Sequence, residues 1–325
     1  MKKQIIAVLL TLILLAAAGA SHAEDAAAPV YDWPEGFRYD FSDRAYLLPI
    51  NAETGTKPLD AGFTSGTTYE DSTIQVTITS GREYNCDYWV ADIVISDPSQ
   101  LRTMAAGKER NFAFSSTEDA LGLAKKSKAV VAVNGDYYTD SARGGRGFVI
   151  RQGGLYLNKL DPAGSSKLMD ILLIDEDGDF HGLHRPAEGE IPQTVGGKRI
   201  LNAFAFGPIL VEDGKRVTDY AGSESWVDMR YYDTMQRMCI CQAGPLHYKV
   251  ICCSGKSYGQ PGMTLDDLAR LAEAEGVQTA YNLDGGDSTL LYFNGNRVNN
   301  SEKRSSLRQL HDIIYFASAE GVAAP

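Results

Sequence analysis

The chain has 325 residues, with 31 Lys and Arg against 42 Asp and Glu, a formal charge of −11 at pH 7, and 44% hydrophobic residues. That is enough chain and apolar content for one large domain or two small ones. The acidic balance argues against nucleic acid or an anionic membrane surface as partner, so any anionic ligand must be held by local arginines or lysines.

Residues 1–23 read as a leader. Lys2 and Lys3 form a basic start, Ile5 to Ala18 an apolar stretch, and Ser21-His22-Ala23 a cleavage site before Glu24. The apolar run is short for a membrane span, and no cysteine sits at the cleavage point. The expectation is an exported chain, secreted or held in the cell envelope, with no membrane insertion of its mature part. Loss of the leader leaves 302 residues (325 less 23) and takes the charge to −13, because Lys2 and Lys3 go with it. Residues 24–68 form an N-terminal arm rich in Pro, Gly, Asp and Thr, without a sustained period. One domain is expected over residues 69–318, followed by a short C-terminal tail over 319–325.

Thr73-Ile74-Gln75-Val76-Thr77-Ile78 alternates as a half-buried strand does, and Tyr88 to Ser96 is a second strand ended by Asp97-Pro98. Ser116-Thr117-Glu118-Asp119 has the form of a helix start with a capping box. That helix leads into Ala129-Val130-Val131-Ala132-Val133, a continuous apolar strand that stops at Asn134-Gly135-Asp136-Tyr137-Tyr138. Hairpin turns are expected at Gln152-Gly153-Gly154, Asp177-Gly178, Asp213-Gly214 and Asn294-Gly295, each between apolar runs. Thr264 and Asp267 cap a second helix, Leu265 to Glu275, closed by Gly276. A buried strand, Val277 to Leu283, follows and also stops at Asn, Asp and Gly.

The chain thus twice makes helix, buried strand, then an acidic glycine turn. Continuous apolar strands belong in the middle of a sheet covered on both faces. If the two strands lie parallel and side by side, both turns open at one sheet edge, where open sheets bind ligands. The fold class expected is α+β, with a mixed, largely antiparallel sheet and a few packed helices in a single large domain.

The turn Asp284-Gly285-Gly286-Asp287-Ser288-Thr289 carries two carboxylates, two glycines and two hydroxyls. Glycines let a backbone present its N–H groups to an anion, and hydroxyls add donors. Other motifs fit less well. Asp175 to Asp179 has a calcium-loop look, but the glycine and glutamate an EF-hand needs are Phe180 and Pro186. Gly255-Lys256-Ser257-Tyr258-Gly259 spells a nucleophile elbow, yet Pro261-Gly262 interrupts the helix that must follow. His181 and His184 have no metal-ligand spacing and read as surface residues. Cys239, Cys241, Cys252 and Cys253 fall on one hairpin, and Cys86 makes the count odd. Their spacing suits buried thiols or one cross-strand disulfide better than zinc, and no metal or cofactor is expected.

Val133-Asn134-Gly135-Asp136-Tyr137-Tyr138, Phe206-Gly207-Pro208-Ile209-Leu210-Val211, Arg237, Asn282-Leu283-Asp284-Gly285-Gly286, and Arg308 through Asp312-Ile313-Ile314-Tyr315 occur in that order. As an ordered set over roughly Tyr69 to Ser318, they resemble the phosphodiester glycosidase family. The resemblance implies hydrolysis of a sugar 1-phosphodiester, releasing the sugar and leaving the phosphate on its other partner, here in a cell-surface or extracellular glycan. It further implies Asp284 and Asp136 as catalytic carboxylates and Arg237 as the phosphate clamp, its planar fork holding two oxygens. Lys256, Gly285, Gly286, Ser288, Thr289 and Arg308 then complete the phosphate cradle, while Asn134 and Asn282 suit sugar hydroxyls.

The chain departs from the family pattern at three places. R-T-A-I-G becomes Arg237-Met238-Cys239-Ile240-Cys241, D-G-R becomes Ser254-Gly255-Lys256, and the fourth residue of D-G-G-G becomes Asp287. Lys256 replaces a bidentate donor by a point charge, and Asp287 puts a negative side chain where phosphate would come close. Two alternatives therefore stay open beside the hydrolase. One is a non-catalytic glycan-binding or envelope-polysaccharide assembly protein of the same fold. The other is a metal-dependent phosphodiesterase using Asp136, Asp284 and Asp287.

Overall fold

The computed structural model describes residues 31–50, 54–107, 112, 116–136, 146–220, 231–300 and 307–323. The expected leader, residues 24–30 of the arm, Tyr137, Tyr138 and the last two residues of the tail lie outside the described residues.

The described residues form three antiparallel sheets. The first runs in the order Thr68–Glu70, Ile74–Glu83, Cys86–Ile95, His247–Cys253, Met238–Gly244, Thr279–Leu283, Ile209–Glu212, Lys215–Arg216. The second runs Gly154–Lys159, Gly147–Arg151, Lys198–Ala205, Ile171–Asp175, Phe180–Leu183, with Thr194–Val195 also paired to Lys198–Ala205. The third runs Asn296–Arg297, Leu291–Phe293, Ala129–Asn134, Asp312–Ala317, Leu101–Ala105.

Alternation along each strand explains why the sheets assemble. One face of all three sheets meets in a shared core that includes Ile74, Val76, Ile240, Val131, Val133, Leu172, Ile174 and Phe316. The opposite faces have separate covers. Helix α2, Leu265–Ala274, buries Leu265, Leu268, Ala269 and Leu271 against Cys239, Cys241 and Leu210 of the first sheet. Helix α1, Ala120–Lys126, lays Leu123 and Ala124 over Ala132, Ile313 and Tyr315 of the third. On the second sheet the cover is the N-terminal arm, whose Trp33, Phe37 and Tyr39 pack on Phe148, Ile171 and Leu173. A strand covered on both faces has no polar side to show, which is why Ala129–Asn134 and Thr279–Leu283 read as unbroken apolar runs.

Local signals are realised closely. All four expected hairpins form, and the Thr264–Asp267 capping box closes with both arms. For α1 the cap is Asp119, which accepts from the Gly122 N–H, rather than Ser116. One expectation fails. The strands ending at Asn134 and Leu283 are neither parallel nor neighbours: they belong to different sheets, and each is antiparallel to both its partners. The fold is correspondingly more sheet-dominated than a balanced α+β domain.

Candidate active site

The two acidic turns nevertheless meet, across sheets instead of within one. Asn134, wholly buried at the end of its strand, donates Nδ2 to the Asp284 carbonyl at 2.8 Å. Its Oδ1 accepts the Leu290 N–H at 3.2 Å. One side chain therefore clasps both ends of the 284–290 turn, so its amide serves the backbone. Gly285 lies against the Gln236 carbonyl so closely that a Cβ would collide with it, and Gly286, at φ +59°, donates its N–H to that carbonyl at 2.9 Å. A short 3-10 turn, Gly286–Ser288, then swings Ser288 beneath Asp284.

Asp284 is 8% exposed, and its Oδ2 is buried with no hydrogen-bond partner. Arg308 stands close by: its Nη1 is 3.7 Å from Oδ2 and donates to Ser288 Oγ at 3.1 Å. Burial pushes the Asp284 carboxyl up to about 6, against the pull of the Ser288 hydroxyl, Arg308 and the Gly285 N–H, while Asp136 adds to the rise. A carboxylic acid poised near neutral pH beside a half-exposed guanidinium can hand over and recover a proton next to an anion.

Asp136 lies in a different setting. Its Oδ2 accepts from Arg151 Nη2 at 3.0 Å, and its N–H donates to Asp312 Oδ1 at 2.9 Å. Arg151 donates Nε to Asp312 Oδ2 at 2.9 Å, and all three side chains of this network are fully buried. Arg237 and Asp284 occupy adjacent strand ends, one step beyond the Met238↔Leu283 pair. Arg237 donates Nε to the Met263 carbonyl and Nη2 to the Asp233 carbonyl, and burial lowers its pKa to about 10. Asn282 donates Nδ2 to the Gly207 carbonyl at 2.7 Å, whereas its Oδ1 and the Thr289 Oγ1 are buried without partners.

Lys256 is exposed on a 3-10 turn, Lys256–Tyr258, whose form excludes the strand–turn–helix of a nucleophile elbow. Its neighbour Ser257 donates to Asp287, also exposed, at 3.4 Å. All five cysteines are buried thiols. His181 and His184 are partly exposed and pair with carboxylates.

Sequence reasoning gave no role to Arg151, or to Gln236, whose carbonyl seats the glycine turn. Arg151 had a usable signal: it ends Gly147–Arg151, a strand with all other positions apolar or glycine, where a lone arginine must find carboxylates.

Three antiparallel sheets around one core, with an acidic glycine turn set against an arginine, carry the ordered motifs of a glycosidase for phosphate-linked sugars. The sequence profile of the phosphodiester glycosidase family matches residues 127–317, more than half of the chain, and the chain belongs to that family. Family membership implies a hydrolase of the phosphodiester-glycosidic type. A curated relative, the SPbeta prophage-derived uncharacterized protein YomE of Bacillus subtilis (strain 168), is 29% identical over 189 residues. That match takes in 58% of this chain but only 28% of the relative, so the chain spans less than a third of that protein's length. Among solved structures, the pro-peptide-inhibited catalytic domain of zebrafish N-acetylglucosamine-1-phosphodiester alpha-N-acetylglucosaminidase is similar at TM-score 0.58 and 18% identity. The match covers 85% of this chain and 99% of that one, and at this identity it shows the fold alone.

Proposed function

We propose that the chain is an exported hydrolase that cleaves the anomeric C–O bond of a sugar 1-phosphodiester in a cell-surface or extracellular glycan. The observation that carries this is the unpartnered Asp284 Oδ2, held 3.7 Å from Arg308 on a glycine turn. A phosphodiester seated on Arg308 brings negative charge beside Asp284. That charge raises the carboxyl further and keeps it protonated at neutral pH. Asp284 then gives its proton to the bridging oxygen as the C–O bond breaks and oxocarbenium-like charge develops on the sugar. Water adds to the anomeric carbon and returns a proton to the Asp284 carboxylate, which restores the acid. Asp136, with Oδ2 committed to Arg151, is left out of the proton transfer. Asn282 Oδ1 and Thr289 Oγ1 supply buried polar atoms for the substrate.

The test is residues 24–325, purified, against a panel of sugar 1-phosphodiesters in excess chelator, with products identified. Release of free sugar and a phosphomonoester supports the reading, and the chelator separates it from metal-dependent phosphodiester cleavage. A second reading, a glycan-binding member without catalysis, is favoured by one observation: the carboxylate of Asp287 stands exposed at the rim. Glycan binding with no turnover of any substrate would establish it instead.

A further inference from the structure

We propose that the N-terminal arm carries a second ligand site, separate from the acidic glycine turn, for a short neutral saccharide. Its seat is a cavity of about 540 Å³ lined by arm residues alone, from Arg38 to Ile50. That volume falls within the roughly 300 to 1,000 Å³ of small-molecule sites. Covering the second sheet accounts for Trp33, Phe37 and Tyr39, whose rings pack on its apolar face. It does not account for Arg38, Phe41 and Tyr46, which take no part in that packing and line the cavity.

The walls are held before any ligand arrives. Tyr39 donates its N–H to the Gly153 carbonyl at 2.9 Å, and Gln152 donates Nε2 to the Ile50 carbonyl at 2.9 Å, so both ends of the segment are fastened to one hairpin turn. Gly153, at φ +74°, lies so close to the Phe41 ring that a Cβ would strike it. The Phe41 and Tyr46 rings meet edge to face at 6.0 Å, and each has a guanidinium over it, Arg199 at 4.7 Å and Arg44 at 4.9 Å from the ring centroids. Those two cations are already paired: Arg44 with Glu176 and Asp177, Arg199 with Glu176 and Asp43. Arg38 differs. Its Nη1 donates to the Gln152 carbonyl and its Nη2 to the Tyr156 hydroxyl, both at 3.0 Å, and it makes no ion pair among the described residues. Those bonds hold the fork in place and leave further N–H donors for a ligand. Asp40 and Ser42, both exposed, add a carboxylate and a hydroxyl to the same cavity. Apolar ring plates beside a donor fork and a carboxylate acceptor suit a sugar ring, whose hydroxyls donate and accept and whose C–H faces are apolar. An anion would meet Asp40, Asp43, Glu176 and Asp177, and a cation would meet Arg38. A neutral saccharide avoids both repulsions.

The experiment titrates the purified chain carrying Asp284→Asn with short neutral oligosaccharides of glucose, galactose and mannose, and with uronic-acid oligomers as charged controls, while NMR follows the backbone amides. With Asp284 replaced and binding as the readout, the result stands whether or not the chain proves to be a hydrolase. At least one neutral oligosaccharide should move the amides of Arg38 to Tyr46 saturably, with a Kd of about 0.1 to 5 mM that changes little between low and high salt. Arg38→Ala, at an exposed position, should weaken that binding about 5- to 20-fold and leave the melting temperature nearly unchanged. Phe41→Ala should abolish it, and Arg38→Ala carries the test alone if Phe41→Ala fails to fold. No saturable shift along residues 38–50 with any neutral oligosaccharide, tighter binding of the uronic acids, or an affinity unchanged in Arg38→Ala would overturn the proposal.

Discussion

Asp284→Asn should separate activity from stability in opposite directions. The folded protein holds the Asp284 carboxyl near 6 instead of 3.8, chiefly because burial penalises the carboxylate. A raised carboxyl binds its proton more tightly in the native than in the unfolded chain. Its contribution to stability is therefore fully present below about pH 3.8 and is lost as pH rises through 6. The difference, 6 less 3.8, is about two units, or ~3 kcal/mol of native-state strain above pH 6. Asparagine has no charge to desolvate and keeps the size of the side chain. It gives up the ionic pull of Arg308 and Ser288, so the net gain at pH 7.5 should be about 1 to 3 kcal/mol. At pH 4, where the parent's carboxyl is largely protonated, the two proteins should differ much less. Turnover should fall at least about 100-fold, because the proton donor is gone while the turn is intact. Urea melts of both proteins at pH 4 and 7.5, with kcat measured on the same preparations, test this. A variant destabilised at pH 7.5, or one as active as the parent, would refute the reasoning.

Asp287→Gly removes an exposed charge at the rim and should lower KM for a phosphodiester by about two- to five-fold, with kcat little changed; the gain should shrink in high salt, as a kinetic salt series would show. Leu268→Ala empties a buried position of α2 above Cys239 and Cys241 and should cost about 2 to 5 kcal/mol in a denaturant melt. The five cysteines, all buried, should resist a thiol reagent in the native protein and all react after denaturation. Stoichiometric zinc, or fewer than five thiols, would contradict that arrangement.

Local chemistry is what the sequence states most plainly. The Thr264–Asp267 box, the four glycine-bearing hairpins and the apolar strands each depend on residues a few positions apart, and each forms where its residues stand. The assembly of three sheets was illegible because a doubly covered strand looks the same in any sheet. Unbroken burial along Ala129–Asn134 fixes that both faces are hidden, not which strands lie beside it. Parallel pairing was inferred from two helix–strand–turn units in succession. What defeats it is chain direction: Ala129–Asn134 takes Leu291–Phe293 and Asp312–Ala317 as antiparallel partners, both far along the chain.

The same limit explains the roles at the site. Asn134, Asp136, Asp284 and Arg308 were all legible as polar residues in or beside tight turns, and the fold does gather them. What each one touches is decided by long-range partners. Asn134 looks like a ligand for a sugar hydroxyl until the Asp284 carbonyl and Leu290 N–H, some 150 residues away, occupy its amide. Asp136 and Asp284 look like an equivalent pair until Arg151 neutralises part of one and Arg308 stops short of the other. Two carboxylates of like sequence context thereby acquire unlike surroundings. One is paired with a buried guanidinium, and the other keeps a buried oxygen without a hydrogen-bond partner. Activity should accordingly depend on residues from strands of all three sheets, which makes the site no more robust than the core that joins them.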